Sequence, residues 1–205
     1  TDPAVTIKTG SPADVNNPNV KLEYKSQETT FNITVNDPIQ SLSVATPMTQ
    51  GEYDHGDTLN FAGLTLAAVT KSGATKTITN TTPGLAISET QADVNSPNFT
   101  KITGTSNVEV KGTQIIKFTY DGKTAQQTII VNDRISSVNI VTQPNKTAIK
   151  YGEALDLTGA TVKITLASGD TTNISLPDGS ATISAFNNKQ IGSKQKLTVT
   201  INNKT

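Results

Sequence analysis

The sequence lacks most of the residues on which enzyme chemistry depends. It contains no cysteine, no tryptophan and a single histidine, His55. Without a thiolate, and with one imidazole to act as a general base, a nucleophile paired with a base is poorly supplied. We therefore predict that the chain is not an enzyme, that it has no catalytic residue and that it needs no cofactor.

The sequence also has few aromatic residues, no excess of one charge and no long apolar run. Aromatic residues make up 4% of the chain, and 17 basic residues balance 17 acidic ones. Nucleic acid is therefore not expected as a partner, because neither a basic stripe nor a stacking platform is available. The longest apolar run, at residues 64–69, is too short to cross a bilayer, so we expect no membrane insertion. Since Thr1 does not open a signal peptide, we expect a soluble segment excerpted from a longer polypeptide.

One short stretch could support metal or pH-dependent chemistry. His55 lies between Asp54 and Asp57, where a pH-sensitive contact or a weak Ca²⁺ site is conceivable. No run of regularly spaced acids resembles a dedicated calcium loop. We therefore expect an exposed turn histidine and no essential metal.

Threonine, valine and isoleucine are frequent instead, which favours narrow cores between two β-sheets. Short alternating runs, typical of strands, occupy residues 5–8, 20–25, 30–35, 42–45, 58–61, 64–70 and 75–78. Pairs such as Asp121-Gly122 and Asn202-Asn203 tolerate the positive φ that tight hairpin turns require. This pattern predicts an all-β fold made of immunoglobulin-like β-sandwiches.

The chain also contains an internal repeat. Residues 20–37 (VKLEYKSQETTFNITVND) return 96 positions later as residues 116–133 (IKFTYDGKTAQQTIIVND), and the same offset continues into the following residues. A fixed period indicates an array of similar structural units. We predict tandem repeats, with one complete unit at residues 38–133. Residues 1–37 would be the closing part of a unit, and residues 134–205 a unit that lacks its last strand.

The middle repeat is longer than its neighbours. Shorter offsets on both sides place the extra residues within residues 99–115, where glycines and an alternating stretch suggest an added hairpin. Insertions on a rigid scaffold are common binding sites, so Phe99, Lys101, Glu109 and Lys111 are candidate ligand-binding residues. The alternative is a tolerated surface loop, because long insertions cost little entropy.

A nine-residue block carries a family resemblance. Residues 151–159 (YGEALDLTG), followed by the turn at residues 168–170, resemble the bacterial Ig-like repeats (group 3 type) of Gram-positive surface proteins. The counterpart in the middle repeat is residues 55–63 (HGDTLNFAG). The resemblance implies an extracellular, cell-wall-associated adhesin or similar protein in which such repeats act as stalk or spacer, and no catalytic residues.

Three functions remain open from the sequence. The first is a non-enzymatic stalk or structural part of a surface array. The second is an adhesin module that binds a host or glycan ligand through residues 99–115. The third is an accessory region of a secreted carbohydrate-active enzyme. A Lys–Asn amide bond between neighbouring strands, as some surface repeats form, would require such a pair to meet beside a buried acid.

The expected partners are neighbouring Ig-like repeats of the same protein. An Ig-like unit without its last strand has an open edge, and residues 30–35 of one molecule could complete residues 134–205 of the next. Head-to-tail self-association would follow. The alternative is that the sequence was cut at arbitrary points in a longer array.

Overall fold

The computed structural model describes residues 6–9, 19–102, 108–192 and 194–205, and within these ranges the chain forms strands and no helix. No helix able to span a membrane therefore occurs in this part of the chain. The strands are β1 (Thr6–Thr9), β2 (Asn19–Tyr24), β3 (Gln27–Asn32), β4 (Ile39–Thr46), β5 (Glu52–Asp54), β6 (Thr65–Thr70), β7 (Thr75–Thr79), β8 (Ala86–Ile87), β9 (Phe99–Lys101), β10 (Val110–Tyr120), β11 (Lys123–Asp133), β12 (Ile135–Thr142), β13 (Thr161–Leu166), β14 (Thr171–Ser175), β15 (Ala181–Ile183) and β16 (Val199–Ile201).

These strands form several sheets. Three sheets have three strands each, in the orders β1-β2-β3, β4-β6-β7 and β12-β13-β14. A fourth has the order β5-β11-β10-β8, with β9 also paired to β10, and β15 pairs with β16. Most neighbours are antiparallel, whereas β5 and β11 are parallel. The predicted all-β, Ig-like sandwich fold is confirmed.

The offset of 96 residues reappears in the strand register. In one sheet Ile39 lies opposite Thr70 and Leu42 opposite Ala68. In the other, the corresponding pairs are Ile135 with Leu166 and Val138 with Ile164. Both first strands carry irregularities at equivalent places, after the first residue and near the end. The two segments therefore encode the same three-stranded sheet.

Contacts between residues group the chain into two compact units. Unit 1 consists of Thr1–Met48, Gly63–Ile87 and Lys117–Gln126. Its described core residues come from several strands, and the fully buried ones are Leu66, Ala68, Ile78 and Phe118. Burying a side chain of this size stabilises the fold by roughly 1.5–3 kcal/mol. The core of unit 1 therefore depends on β6, β7 and β10.

Unit 2 consists of Thr49–Ala62, Ser88–Ile116 and Gln127–Thr205. Within it the sheet β12-β13-β14 packs against β15 and β16 around one hydrophobic cluster. Its buried members are Val108, Ile135, Ala160, Val162, Ile164, Leu166, Leu176, Val199 and Ile201. Strands from both sheets thus supply one sandwich core.

Several strand predictions differ from the structure. The strand predicted at residues 30–35 ends at Asn32, the last residue of β3, so residues 33–35 lie outside it. The stretch at residues 58–61 forms only an isolated bridge, Thr58 with Gln91, although Leu59 is buried. The expected strand is wrong because the backbone of Leu59 bonds to Thr90 in a loop contact instead of joining a ladder. Conversely, β5 was not predicted. Its three residues are too few to reveal a period in the sequence, and they become a strand by pairing with β11.

Candidate functional site

A closely bonded site in the structure lies between β11 and β12, at the predicted boundary between the middle and last repeats, which we call the junction. Strand β11 ends at Asp133 and β12 begins at Ile135, so a single residue, Arg134, separates them. The Asp133 side chain is fully buried. Its carboxylate accepts hydrogen bonds from the Ser168 backbone N–H (3.0 Å) and hydroxyl (2.6 Å). This contact ties the closing strand to the β13–β14 turn.

The same contact occurs one repeat earlier. The carboxylate of Asp37 accepts hydrogen bonds from the Ser72 N–H (2.9 Å) and hydroxyl (2.7 Å). These bonds to Ser72, followed by one to Thr70, hold the pKa of Asp37 below its usual value. Each Val-Asn-Asp segment, at residues 35–37 and 131–133, is therefore fastened to the three-stranded sheet that follows it in the chain.

A parallel strand pair closes the middle repeat beside this junction. Ile130 lies opposite Glu52, Val131 opposite Tyr53 and Asn132 opposite Asp54. The Ile130 N–H donates to the Gly51 carbonyl (2.8 Å), and the His55 N–H donates to the Asn132 carbonyl (2.7 Å). These hydrogen bonds hold β5 along the last part of β11, next to the junction.

Charged and polar side chains gather over this pair. We call Glu52, Asp54, Glu109, Lys111, Asn132 and Arg134 the junction cluster. Glu52 Oε1 accepts from Asn132 Nδ2 (2.8 Å) and from Lys111 Nζ (3.0 Å). Arg134 Nε donates to Asp54 Oδ1 (2.7 Å). The cluster joins strands β5, β10 and β11 to the residue that begins the next repeat.

The electrostatics of the cluster follow from these contacts. The Asn132 amide, followed by Lys111, lowers the pKa of Glu52, so this carboxyl is ionised at neutral pH. Asp54 raises the pKa of Arg134 by hydrogen bonding and by charge, with Glu109 and Glu52 adding to the effect. Because these side chains are about half exposed, each pair contributes little individually. A network fixes geometry better than an isolated pair does.

The candidate ligand-binding residues fall into two groups. Glu109 and Lys111 belong to the junction cluster, and Glu109 Oε1 accepts a hydrogen bond from the Ile135 N–H (3.1 Å). Next to Glu109, Val108 is buried in the hydrophobic cluster of the last repeat. Phe99 is half-buried and Lys101 is exposed on β9. The structure thus brings Glu109 and Lys111 together and leaves Lys101 outside the cluster.

The inserted segment is built into the sheet. Strand β9 pairs with the start of β10, as an added hairpin would, while residues 103–107 lie outside the described range. The Phe99 ring lies so close to Gly112 that a Cβ there would come within 2.2 Å of Phe99 Cζ. Gln114 is fully buried, and its side-chain oxygen accepts from the Asp93 N–H (3.0 Å). These contacts fix the base of the insertion.

His55 is less exposed than expected for a turn residue. Its side chain is 18% exposed, and Nδ1 accepts a hydrogen bond from the Val94 N–H (3.3 Å). Asp93 Oδ1 lies 3.4 Å from the same nitrogen. The histidine therefore anchors the loop at residues 93–94. No group of three or more potential metal ligands is found across the part of the chain that the structure describes.

A Lys–Asn pair does meet beside an acid, at Lys111, Asn132 and Glu52. An amide bond between the two side chains would require an unprotonated lysine amine to attack the asparagine amide. Here the acid is half exposed, and Asn132 followed by Lys111 lowers the pKa of its carboxyl. The reaction needs a buried acid, and Glu52 is not buried. The contact between Lys111 and Glu52 is therefore an ion pair.

Comparison with protein families gives a match in the last part of the chain. Residues 142–205 match the family model of the bacterial Ig-like domain (group 3). The predicted resemblance to group 3 bacterial Ig-like repeats is confirmed for this segment. Group 3 Ig-like domains are generally non-catalytic, structural and surface-associated. No curated protein matches the sequence.

Sequence reasoning missed most of the junction cluster. Arg134, Glu52 and Asn132 are unremarkable in the sequence, because Glu52 lies 80 residues before Asn132 and only the folded strands bring them together. One signal was available: the Val-Asn-Asp ending recurs at both junctions, at residues 35–37 and 131–133. The aspartate in each ending makes the equivalent bond to a serine.

Proposed function

We propose that this chain is a stalk or spacer region of an extracellular surface protein of a Gram-positive bacterium, in which the junction cluster holds successive repeats in a fixed orientation. The observation that carries the proposal is the junction itself. One residue separates β11 from β12, and the insertion of the middle repeat places Val108 and Glu109 on the repeat that follows.

Stiffness is the physical consequence of this arrangement. A linker of one residue leaves few backbone angles free, and each contact made across it restricts them further. Glu109 fixes the first amide of β12, while Arg134 is held to Asp54 on β5. Repeats joined in this way form an extended array whose units are not separated by flexible linkers.

Spin-label distance measurements test the proposal. The sequence has no cysteine, so cysteines at the exposed positions Thr90 and Asn173 provide unique labelling sites on either side of the junction. We expect a narrow distance distribution in the parent protein and a broader one in Glu109→Ala and Arg134→Ala. Lys101→Ala, an exposed change on β9, is the matched control. Equal widths in all four proteins would contradict the proposal.

The alternative function is ligand binding through the same insertion. Deleting the insertion is not a suitable test of this function. Removing residues 99–115 would also remove Val108, Glu109 and the buried Gln114, and would disturb the fold. Substitution of the exposed Lys101 leaves these contacts in place. If glycan or host-matrix binding is found and is lost in Lys101→Glu, the insertion is a ligand site and the stalk proposal is incomplete.

A further inference from the structure

The strongest unassigned feature is a groove on the last repeat. It has a volume of about 780 Å³, lies within unit 2 and is lined mainly by apolar side chains and lysines. Ile149, Leu155 and Leu197 are among its lining residues and are only partly buried. Their counterparts in the middle repeat, Tyr53, Leu59 and Ile116, are almost fully buried. The groove therefore marks a place that is filled in one repeat and open in the other.

In the middle repeat this place is filled by the second half of β11. Ile129 and Val131 of that strand are buried, and its backbone pairs with β5. Residues 148–150, the counterpart of β5, form no strand in the structure, and Ala148 and Lys150 are exposed. An extended segment with apolar side chains at alternate positions would supply both the missing ladder and the missing core contacts.

The chain carries a second segment with this pattern. Residues 33–37 (ITVND) correspond, 96 positions earlier, to residues 129–133 (IIVND). Strand β3 ends at Asn32, so Ile33 and Val35 lie beyond its ladder and are only partly buried. Asp133 keeps its hydrogen bond to Ser168 while β11 pairs with β5 in the middle repeat. Asp37 makes the equivalent hydrogen bond to Ser72. That bond is therefore compatible with use of the segment as a closing strand.

Charge also favours this occupant. Lys146, Lys150, Lys194 and Lys196 line the groove, and no acidic side chain is among its described lining residues. Residues 33–37 contain Asp37 and no basic side chain, and of the four groove lysines Lys146 is already paired with Glu153. A segment of this sign is attracted to the groove, and the attraction weakens as salt is added.

We propose that the groove is a strand-acceptor site and that its occupant is the segment at residues 33–37 of a second copy of this chain. The segment would lie parallel to residues 148–150, in the register of the middle repeat. Val35 would then lie opposite Ile149, in the place of Val131 opposite Tyr53, and Thr34 opposite Ala148. Repetition of this contact would join copies head to tail.

Disulfide trapping between two single-cysteine variants tests the register. A Thr34→Cys copy mixed with an Ala148→Cys copy should give a disulfide-linked heterodimer under mild oxidation. Thr34→Cys mixed with Lys163→Cys, at an exposed position on β13, is the matched control. Adding Val35→Ser to the Thr34→Cys copy should reduce the heterodimer to the control level, because the buried anchor of the segment is lost.

The mass in solution gives an independent readout. Light scattering of the parent protein should show a mass that rises with concentration from one chain toward two and more, and Val35→Ser should return it to one chain. A constant single-chain mass, or a heterodimer yield no greater than the control, would overturn the proposal. A disulfide formed within one chain of the double variant Thr34→Cys/Ala148→Cys at high dilution would also overturn it, because the occupant would then be the same molecule.

Discussion

The middle and last repeats share a three-stranded sheet but differ at the edge that follows it. Strands β4, β6 and β7 have the same register as β12, β13 and β14. In contrast, Glu52–Asp54 is a strand, whereas residues 148–150 are not. The sheet is encoded by residues close in sequence, and the edge strand exists only where β11 pairs with it. The difference teaches that a short edge strand depends on its partner more than on its own sequence.

The two junctions offer a second comparison. Asp133 is fully buried, whereas Asp37 is partly exposed, although both bond to the equivalent serine. The later junction adds Arg134 and Glu109, and the earlier one has Pro38 where the later has Arg134. Equivalent hydrogen bonds therefore operate in different surroundings, and their contributions to stability should differ.

The largest expected effect comes from truncating equivalent core positions. Ile78 is fully buried in the middle repeat, whereas its counterpart Ile174 is only partly buried. Ile78→Ala should destabilise the protein by about 2–5 kcal/mol, because it removes buried methylenes and leaves a cavity. Ile174→Ala should cost clearly less. Urea unfolding measures both, with the exposed changes Thr77→Ala and Asn173→Ala as controls. Equal costs would show that burial does not distinguish the two sheets.

The next effect separates the two junctions. Asp133→Ala leaves the Ser168 N–H and hydroxyl without their acceptor in a buried place, which costs about 1–3 kcal/mol. Asp37→Ala exposes the equivalent Ser72 groups to water, so its effect should be smaller. Chemical denaturation of both variants checks the order, and the double variants with Ser168→Ala and Ser72→Ala show how much of each effect belongs to the pair. The reverse order would contradict the assignment.

A smaller effect is expected at the hairpin turns. Lys25 and Ser26 have φ of 47° and 61°, values that side-chain-bearing residues adopt at a cost, whereas Asp121-Gly122 places glycine at the second position. Ser26→Gly should therefore stabilise the β2–β3 hairpin by up to about 1 kcal/mol. Gly122→Ser should destabilise the β10–β11 hairpin by a similar amount. Amide hydrogen exchange of each hairpin gives the readout, and no change in either would argue against strain at these turns.

The smallest effect is the pH dependence that Glu52 contributes to the middle repeat, because its counterpart in the last repeat is Ala148. The folded protein lowers the pKa of Glu52, so this group adds stability above its unfolded pKa, and the contribution is lost as the pH falls through the folded value. The parent should lose stability on acidification more steeply than Glu52→Gln. Denaturant midpoints measured from neutral to acidic pH compare the two proteins. Identical pH profiles would show that the ionised carboxyl of Glu52 does not stabilise the junction.

The sequence by itself determined the repeat, the all-β class and most strands of the two equivalent sheets. These features depend on alternation, turn residues and a fixed offset, all of which are local patterns. The tandem boundaries at residues 37 and 133 remain predictions from the same patterns.

Tertiary structure alone decided the edge strands and the candidate site. Residues 58–61 alternate like a strand but bond as a loop, whereas Glu52–Asp54 is too short to reveal a period but pairs with β11. The sequence placed Glu109 and Lys111 among ligand candidates because they lie in an insertion, and the fold uses them to hold the junction. The physical reason is that the role of a charged side chain depends on which group it contacts in the folded structure. Arg134 meets Asp54, 80 residues away in the chain, only after β5 and β11 have paired.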